Sequence, residues 1–110
     1  MLVDTGFDII LQKIDNEEYI GSGLPNEVML SNKGWGEFAD ALESAKNGNE
    51  DKVKITDDFY NGIITINLFV EEDEPDMIII TFDNHDHFET NTIFLTVEEA
   101  DQILMKMNES

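Results

Sequence analysis

The sequence predicts an α+β fold in which an antiparallel sheet packs against two helices, within a single domain over residues 1–110. Three observations lead to this prediction. Apolar residues recur at helical spacing in two segments, about 34–46 and 97–107. Residues 53–95 instead alternate apolar and polar side chains between turn residues, which is typical of an antiparallel meander. Within that region, Asn61-Gly62 is a dipeptide typical of tight hairpins.

The N-terminal third is less regular than the rest. Apolar residues at 7–14 fit both a helical stripe and the alternation of a strand, and their β-branched side chains favour the strand. Gly21 and Gly23 then interrupt the chain, and residues 28–30 predict a second short strand. The expected sheet is therefore the meander over residues 53–95, and N-terminal strands could extend it.

The first helix is expected over residues 34–46, where one apolar stripe includes Trp35. Ser31 or Asn32 can cap its start, and Asn47-Gly48 is a typical helix end. The large indole of Trp35 is expected to anchor this helix in the core.

The Asn61-Gly62 dipeptide predicts a two-residue type I′ turn, which also sets the pairing of the strands around it. In that register Tyr60 faces Ile63 and Val53 faces Val70. One face of the hairpin is then almost entirely apolar and should point to the core. The opposite face is mixed, should be only partly covered, and leaves a homodimer open; it carries Tyr60, Ile63 and Phe69.

Two more strands are expected at residues 77–83 and 88–95. The first has apolar side chains on both faces, as Ile78 and Ile79 illustrate, so it is expected to be central and covered on both sides. The second leads into Thr96-Val97-Glu98-Glu99, a capping box that predicts the start of the final helix.

The charge of the chain is strongly one-sided. The net charge is −19, from 25 acidic residues and six lysines, and arginine and cysteine are absent. Such a chain repels phosphate backbones and anionic membranes, so nucleic acid and membrane surfaces are excluded as direct partners, and basic proteins are favoured. The first residues contain no basic segment followed by an apolar run, so a cytoplasmic protein is expected.

Thirteen carboxylates and no lysine or arginine lie between Ile55 and Lys106. Carboxylates at strand spacing can imitate a phosphate backbone, because side chains on one strand face recur about every 6.6 Å. The densest run, residues 71–76, is called the acidic tip below. Ten of these thirteen acids are the candidate partner-binding residues: Glu71, Glu72, Asp73, Glu74, Asp76, Asp57, Asp58, Asp83, Asp86 and Glu89.

A polar loop follows the third strand of the meander and contains oxygen and imidazole side chains. Its weak candidates for metal ligands are His85, His87, Asp83 and Asp86. The loop does not have the ligand order or central glycine of a calcium site, so an ordinary hairpin loop is favoured and no cofactor is expected. Without a nucleophile elbow or a phosphate loop in the sequence, a non-catalytic protein is expected.

In size, in its lack of cysteine and arginine, and in the run 71–76, the chain resembles the small acidic inhibitors of phages and mobile elements, including DNA-mimic and anti-CRISPR proteins. The resemblance implies inhibition of a nucleic-acid-binding enzyme by occupation of its basic groove, with no catalytic residue or cofactor. Three alternatives stay open. They are an immunity protein that neutralises a basic toxin or cognate partner, a metal-binding regulatory module, and a domain from an unusually acidic proteome.

Overall fold

A computed structural model describes residues 2–7, 9–14, 27–85 and 89–109. The elements in chain order are β1 (Leu2–Asp4), β2 (Ile10–Ile14), β3 (Glu27–Ser31), α1 (Asn32–Lys46), β4 (Val53–Ile55), β5 (Gly62–Phe69), β6 (Met77–Asn84), β7 (Glu89–Thr96) and α2 (Val97–Asn108). Both predicted helices and the α+β class are confirmed.

The strands form two sheets. The larger has the order β4-β5-β6-β7 with every neighbouring pair antiparallel, which confirms the predicted meander. The smaller has the order β1-β2-β3, where β1 and β2 are antiparallel and β2 and β3 are parallel. The strand interpretation of residues 7–14 is confirmed by β2, and residues 28–30 lie in β3.

The core lies on one face of the four-stranded sheet, under both helices. Helix α1 contacts β4, β5 and β6, whereas α2 contacts β6 and β7. Phe38 of α1 stacks on Phe82 of β6 with 6.4 Å between ring centroids, and Trp35 is buried as expected. Each fully buried aliphatic or aromatic side chain of this kind contributes about 1.5–3 kcal/mol. The buried residues of the four-stranded sheet are Ile55, Ile64, Ile66, Leu68, Ile78, Ile80, Phe82, Ile93 and Leu95.

The predicted register of the first hairpin is wrong. Val53 pairs with Ile66 rather than with Val70, and Ile55 pairs with Ile64, so residues 56–61 form a longer connection. Gly62 is the first residue of β5, and a Cβ there would lie 1.8 Å from the Asp83 carbonyl oxygen. The glycine is therefore needed for close approach of two strands and not for a type I′ turn.

Two further expectations about coverage are corrected. Tyr60 is 6% exposed and belongs to the core, although the mixed face was expected to leave it partly open. The face of β6 that carries Met77 and Ile79 is only half-buried, and neither helix packs on it, so β6 is central in the sheet but not covered on both sides. Tyr60 lies in the connection 56–61 and not in a strand, so the alternation that was expected to leave it partly open does not apply to it.

Candidate functional site

The acidic tip is the turn between β5 and β6, the two best-paired strands of the sheet. All six residues 71–76 are exposed. The turn closes with a hydrogen bond from the Glu74 amide to the Glu71 carbonyl at 3.2 Å, and Asp73 has a left-handed backbone with φ of 70°. Aspartate is among the residues that tolerate this conformation. The sequence therefore presents five carboxylates in six residues on a hairpin whose arms are fully paired.

The carboxylates of the acidic tip have no cationic partner in the described ranges. The ion pairs found there lie elsewhere: Lys46 Nζ is 2.6 Å from Asp101 Oδ1, and Lys33 Nζ is 4.0 Å from Glu37 Oε1. All six lysines belong to β2, α1, α2 or the segment 52–54, and none belongs to β5, β6 or β7. The negative potential of the tip is consequently not neutralised locally, and it extends into solvent over about a Debye length.

A second group of acids lies at the opposite end of the same strands. Asp58 is exposed in the connection before β5. Asp83, near the end of β6, is half-buried, with Oδ2 4.0 Å from His85 Nε2 and Oδ1 3.5 Å from Thr90 Oγ1. Eight residues of β6 separate the two ends, which places them about 24 Å apart at normal strand rise.

Asp83 also affects a buried neighbour. Burial, together with the nearby Asp83 carboxylate, raises the pKa of Tyr60 to about 12. The folded protein therefore holds the phenolic proton of Tyr60 more tightly than an exposed tyrosine would.

The remaining candidates are placed differently. Glu89 begins β7 and pairs with Asn84 through the backbone. Asp86 lies outside the described residues. Asp57 is half-buried, and its carboxylate accepts hydrogen bonds from the Ser31 amide, the Ser31 hydroxyl and the Phe59 amide. Its carboxylate thus holds α1 to the connection after β4.

For a metal site, the structure brings together only part of the predicted loop. Asp83 and His85 are neighbours, while Asp86 and His87 lie outside the described residues. Among the residues that are described, no group of three or more acids or histidines is arranged to hold an ion.

Sequence reasoning missed two features of this surface. Glu98 is exposed at the start of α2, and Thr96 pairs with Met77 beside the acidic tip, so Glu98 adds a charge at the same end of the sheet. Phe94 is 55% exposed on the face opposite the helices, whereas Phe69, 46% exposed, lies on the face that was expected to be only partly covered. The capping box could have identified Glu98, since it places the start of α2 directly after β7.

Neither described helix has the length and apolar character needed to span a bilayer. No family model matches the chain, and no curated protein or solved structure is significantly similar to it.

Proposed function

We propose that this chain is a non-catalytic acidic protein that inhibits a nucleic-acid-binding enzyme by occupying its basic groove. The acidic tip is the observation that supports the proposal: its five carboxylates are exposed and have no cationic partner among the described residues. A groove lined with lysine and arginine for phosphates attracts such a surface by the same Coulomb interaction.

The spacing of the acids supports the same function. The tip and the group around Asp58 and Asp83 are about 24 Å apart, which is the length of about seven base pairs at 3.4 Å per step. A channel that follows a duplex could therefore contact both acidic ends of the sheet at once. Two separated contacts of this kind would also favour long basic channels over single basic patches.

The rigidity of the hairpin is a further argument. Residues 62–69 pair with residues 77–84 along their whole length, so the tip is presented by two paired strands and not by a free tail. A surface that is already ordered loses less conformational entropy on binding. The acids at 71–76 can thus bind in the arrangement they already have.

The first experiment is a competition assay with an RNA-guided nuclease and a panel of other basic DNA-binding enzymes. Fluorescence anisotropy would follow a labelled duplex bound to each enzyme while this protein is added. We expect at least one enzyme to release its duplex, and we expect the inhibition to weaken steeply between about 0.05 and 0.3 M salt. If a basic toxin is bound tightly while every DNA-binding enzyme keeps its duplex, the immunity role replaces this proposal.

The second experiment asks whether the position of the charge matters. The variant E71K/E72K/D73K/E74K reverses four exposed charges of the acidic tip, and we expect it to lose at least about tenfold in inhibition because tenfold corresponds to only about 1.4 kcal/mol. The matched control D40K/E43K/E50K/D51K reverses four exposed charges on and after α1, and should inhibit like the unmodified chain. Equal loss in both variants would mean that only net charge matters, and no loss in either would remove the tip from the interface.

A further inference from the structure

In the described part of the chain the two sheets have four edge strands, and three of them are protected against pairing with another chain. β1 and β4 contain only three residues each, and β3 contains five and begins with Glu27. Short or charged edges are the usual means by which proteins avoid unwanted strand pairing. The fourth edge, β7, also begins with a glutamate, Glu89, but it has eight residues, so seven consecutive uncharged residues follow that one charge.

After Glu89, the rest of β7 carries no charge, in a chain where charged residues make up 28% of the sequence. Residues 90–96 include no acid, no lysine and no proline. In the described part of the chain, β7 contacts only β6 and α2, and its backbone pairs with β6 on one side. Among the described residues, no strand pairs with the row of amide and carbonyl groups on its other side.

We propose that two copies of this chain pair through β7, antiparallel about a two-fold axis, so that the two meanders form one continuous eight-stranded sheet. Directly opposed residues in an antiparallel pair share a face, so the helices of both copies lie on the same side. A register centred on Ile93 pairs all of residues 90–96 and opposes no charged residue to another. In this register Thr92 of one copy faces Phe94 of the other.

A second copy suits this edge better than a cationic partner. Residues 90–96 offer no carboxylate that would attract lysine or arginine, whereas a two-fold axis makes the strand its own complement. In the dimer, the acidic tip of one copy lies three strand spacings, about 14 Å, from the β6–β7 end of the other. At physiological salt the Debye length is about 8 Å, so the repulsion between these two acidic regions is largely screened. At 0.01 M salt the Debye length is about 30 Å, so the two regions repel each other.

The dimer is therefore expected to become stronger as the salt concentration rises, whereas binding to a basic partner becomes weaker. Screening reduces the repulsion between two chains of charge −19 and strengthens the dimer, while the same screening weakens attraction to a basic groove. By sedimentation or light scattering we expect a mass near the 12.5 kDa of one chain at about 0.01 M salt, and twice that mass at about 0.3 M. A mass that stays at one chain across this salt range, at concentrations up to about millimolar, would overturn the proposal.

The variant T92E places a carboxylate beside the proposed axis, opposite Phe94 of the other copy, and should remain monomeric at both salt concentrations. Its matched control T56E adds the same charge at an exposed position after β4 and should dimerise like the unmodified chain. Circular dichroism would verify that both variants are folded. A folded T92E that still dimerises would show that β7 is not the interface.

Cross-linking tests the register without depending on T92E. The chain has no cysteine, so T92C and F94C each introduce a single thiol. Opposed Cβ atoms in an antiparallel pair lie about 4.5–5.5 Å apart, close enough for a disulfide after slight adjustment. A mixture of the two variants should form a covalent dimer under mild oxidation, whereas T56C mixed with F94C should not. If the mixture is dimeric by mass yet does not cross-link, the assignment to β7 is wrong.

Discussion

The carboxylate of Asp57 connects the junction of β3 and α1 to the segment that follows β4. It accepts hydrogen bonds from the Ser31 amide at 3.0 Å and from the Ser31 hydroxyl at 2.5 Å, and Ser31 itself caps α1 through the Gly34 amide. It also accepts from the Phe59 amide at 3.0 Å. Three donors on one side chain thus fix the junction of β3 and α1 against the connection after β4. Asp57, one of the predicted partner-binding acids, therefore has a structural role within the fold.

Replacing Asp57 tests this role. D57A would leave two backbone amides and the Ser31 hydroxyl without their acceptor, and we expect it to lower the free energy of unfolding by about 2–3 kcal/mol. Urea unfolding followed by circular dichroism would measure the change. The adjacent D58A removes an exposed carboxylate and should change the free energy by less than about 0.5 kcal/mol. Equal effects of the two substitutions would contradict the structural role.

Gly34 depends on the same contact. A Cβ at this position would lie 2.1 Å from Asp57 Oδ1 and 2.8 Å from its Cγ, so G34A must displace the carboxylate from Ser31. We expect a net loss of about 1–2 kcal/mol despite the higher helix propensity of alanine. G36A is the matched control: its Cβ would meet nothing within 4 Å, so it should stabilise the protein by about 0.5–1 kcal/mol. Urea unfolding of both variants should give changes of opposite sign.

Tyr60 should make stability depend on pH at high pH. Its pKa is raised to about 12 by burial and by Asp83, whereas in the unfolded chain it is about 10. The folded state holds the phenolic proton more tightly, so this contribution is complete below pH 10 and is lost between about pH 10 and 12. In Y60F that part of the pH dependence should disappear, and the absorbance titration should keep only the other of the two tyrosines, Tyr19. A phenol titrating near 12 in Y60F would contradict the assignment.

At the level of elements, periodicity identified the helices, the meander and the buried face of the sheet, because these depend on local spacing alone. The hairpin register was not accessible in this way. Asn61-Gly62 favours a tight turn, but the hydrogen bonds of Asp57 to Ser31 hold the preceding connection against α1, and these contacts are distant in sequence. The shift from Val70 to Ile66 opposite Val53 is four residues, an even number, so within β4 and β5 the predicted buried face is confirmed although the pairing is wrong. Outside these strands the predicted face is wrong as well, because Phe59 and Val70 are 46% and 48% exposed.

The capping box is an element-level feature that sequence alone predicted correctly. The Thr96 hydroxyl accepts from the Glu99 amide at 3.1 Å, and the Glu99 carboxylate accepts from the Thr96 amide at 3.0 Å. T96A should therefore destabilise the protein by about 1 kcal/mol, within the usual range of about 0.5–2. T56A, at an exposed position outside any helix cap, is the control and should be nearly neutral. Urea unfolding would compare them, and a neutral T96A would mean that packing alone holds the start of α2.

At the scale of the whole molecule, charge is distributed by element. The lysines belong to the helices, to β2, and to β4 and the residue just before it, whereas β5, β6 and β7 have none. The acidic tip could be predicted because its run of acids is continuous in sequence. The grouping of Asp58 with Asp83 is not visible in the local sequence and follows only once the strands are ordered as a meander, because the pairing of β4, β5 and β6 brings the connection 56–61 and the end of β6 to the same end of the sheet. The function proposed for this surface rests on that arrangement in space.

The same distribution of charge should lower the free energy of unfolding of the isolated protein, compared with the same fold carrying a smaller net charge. A net charge of −19 on 110 residues repels itself in the folded state, and salt screens this repulsion. Raising sodium chloride from about 0.01 to 0.3 M should increase the free energy of unfolding by about 1–2 kcal/mol, or the melting temperature by about 5–10 °C. The measurement belongs in the T92E background, so that dimerisation does not contribute.

The lysine variant of the acidic tip separates stability from function in the same assay. Four substitutions from −1 to +1 change the net charge from −19 to −11, so E71K/E72K/D73K/E74K should be more stable at low salt and respond less to added salt. It should at the same time be the weaker inhibitor. Such a trade-off is expected where a charge cluster is kept for binding, since folding alone would favour mixed charges. The variant could instead have the same free energy of unfolding as the original chain at low salt. The acids at 71–76 would then not destabilise the free protein, and their clustering would give no argument for a partner.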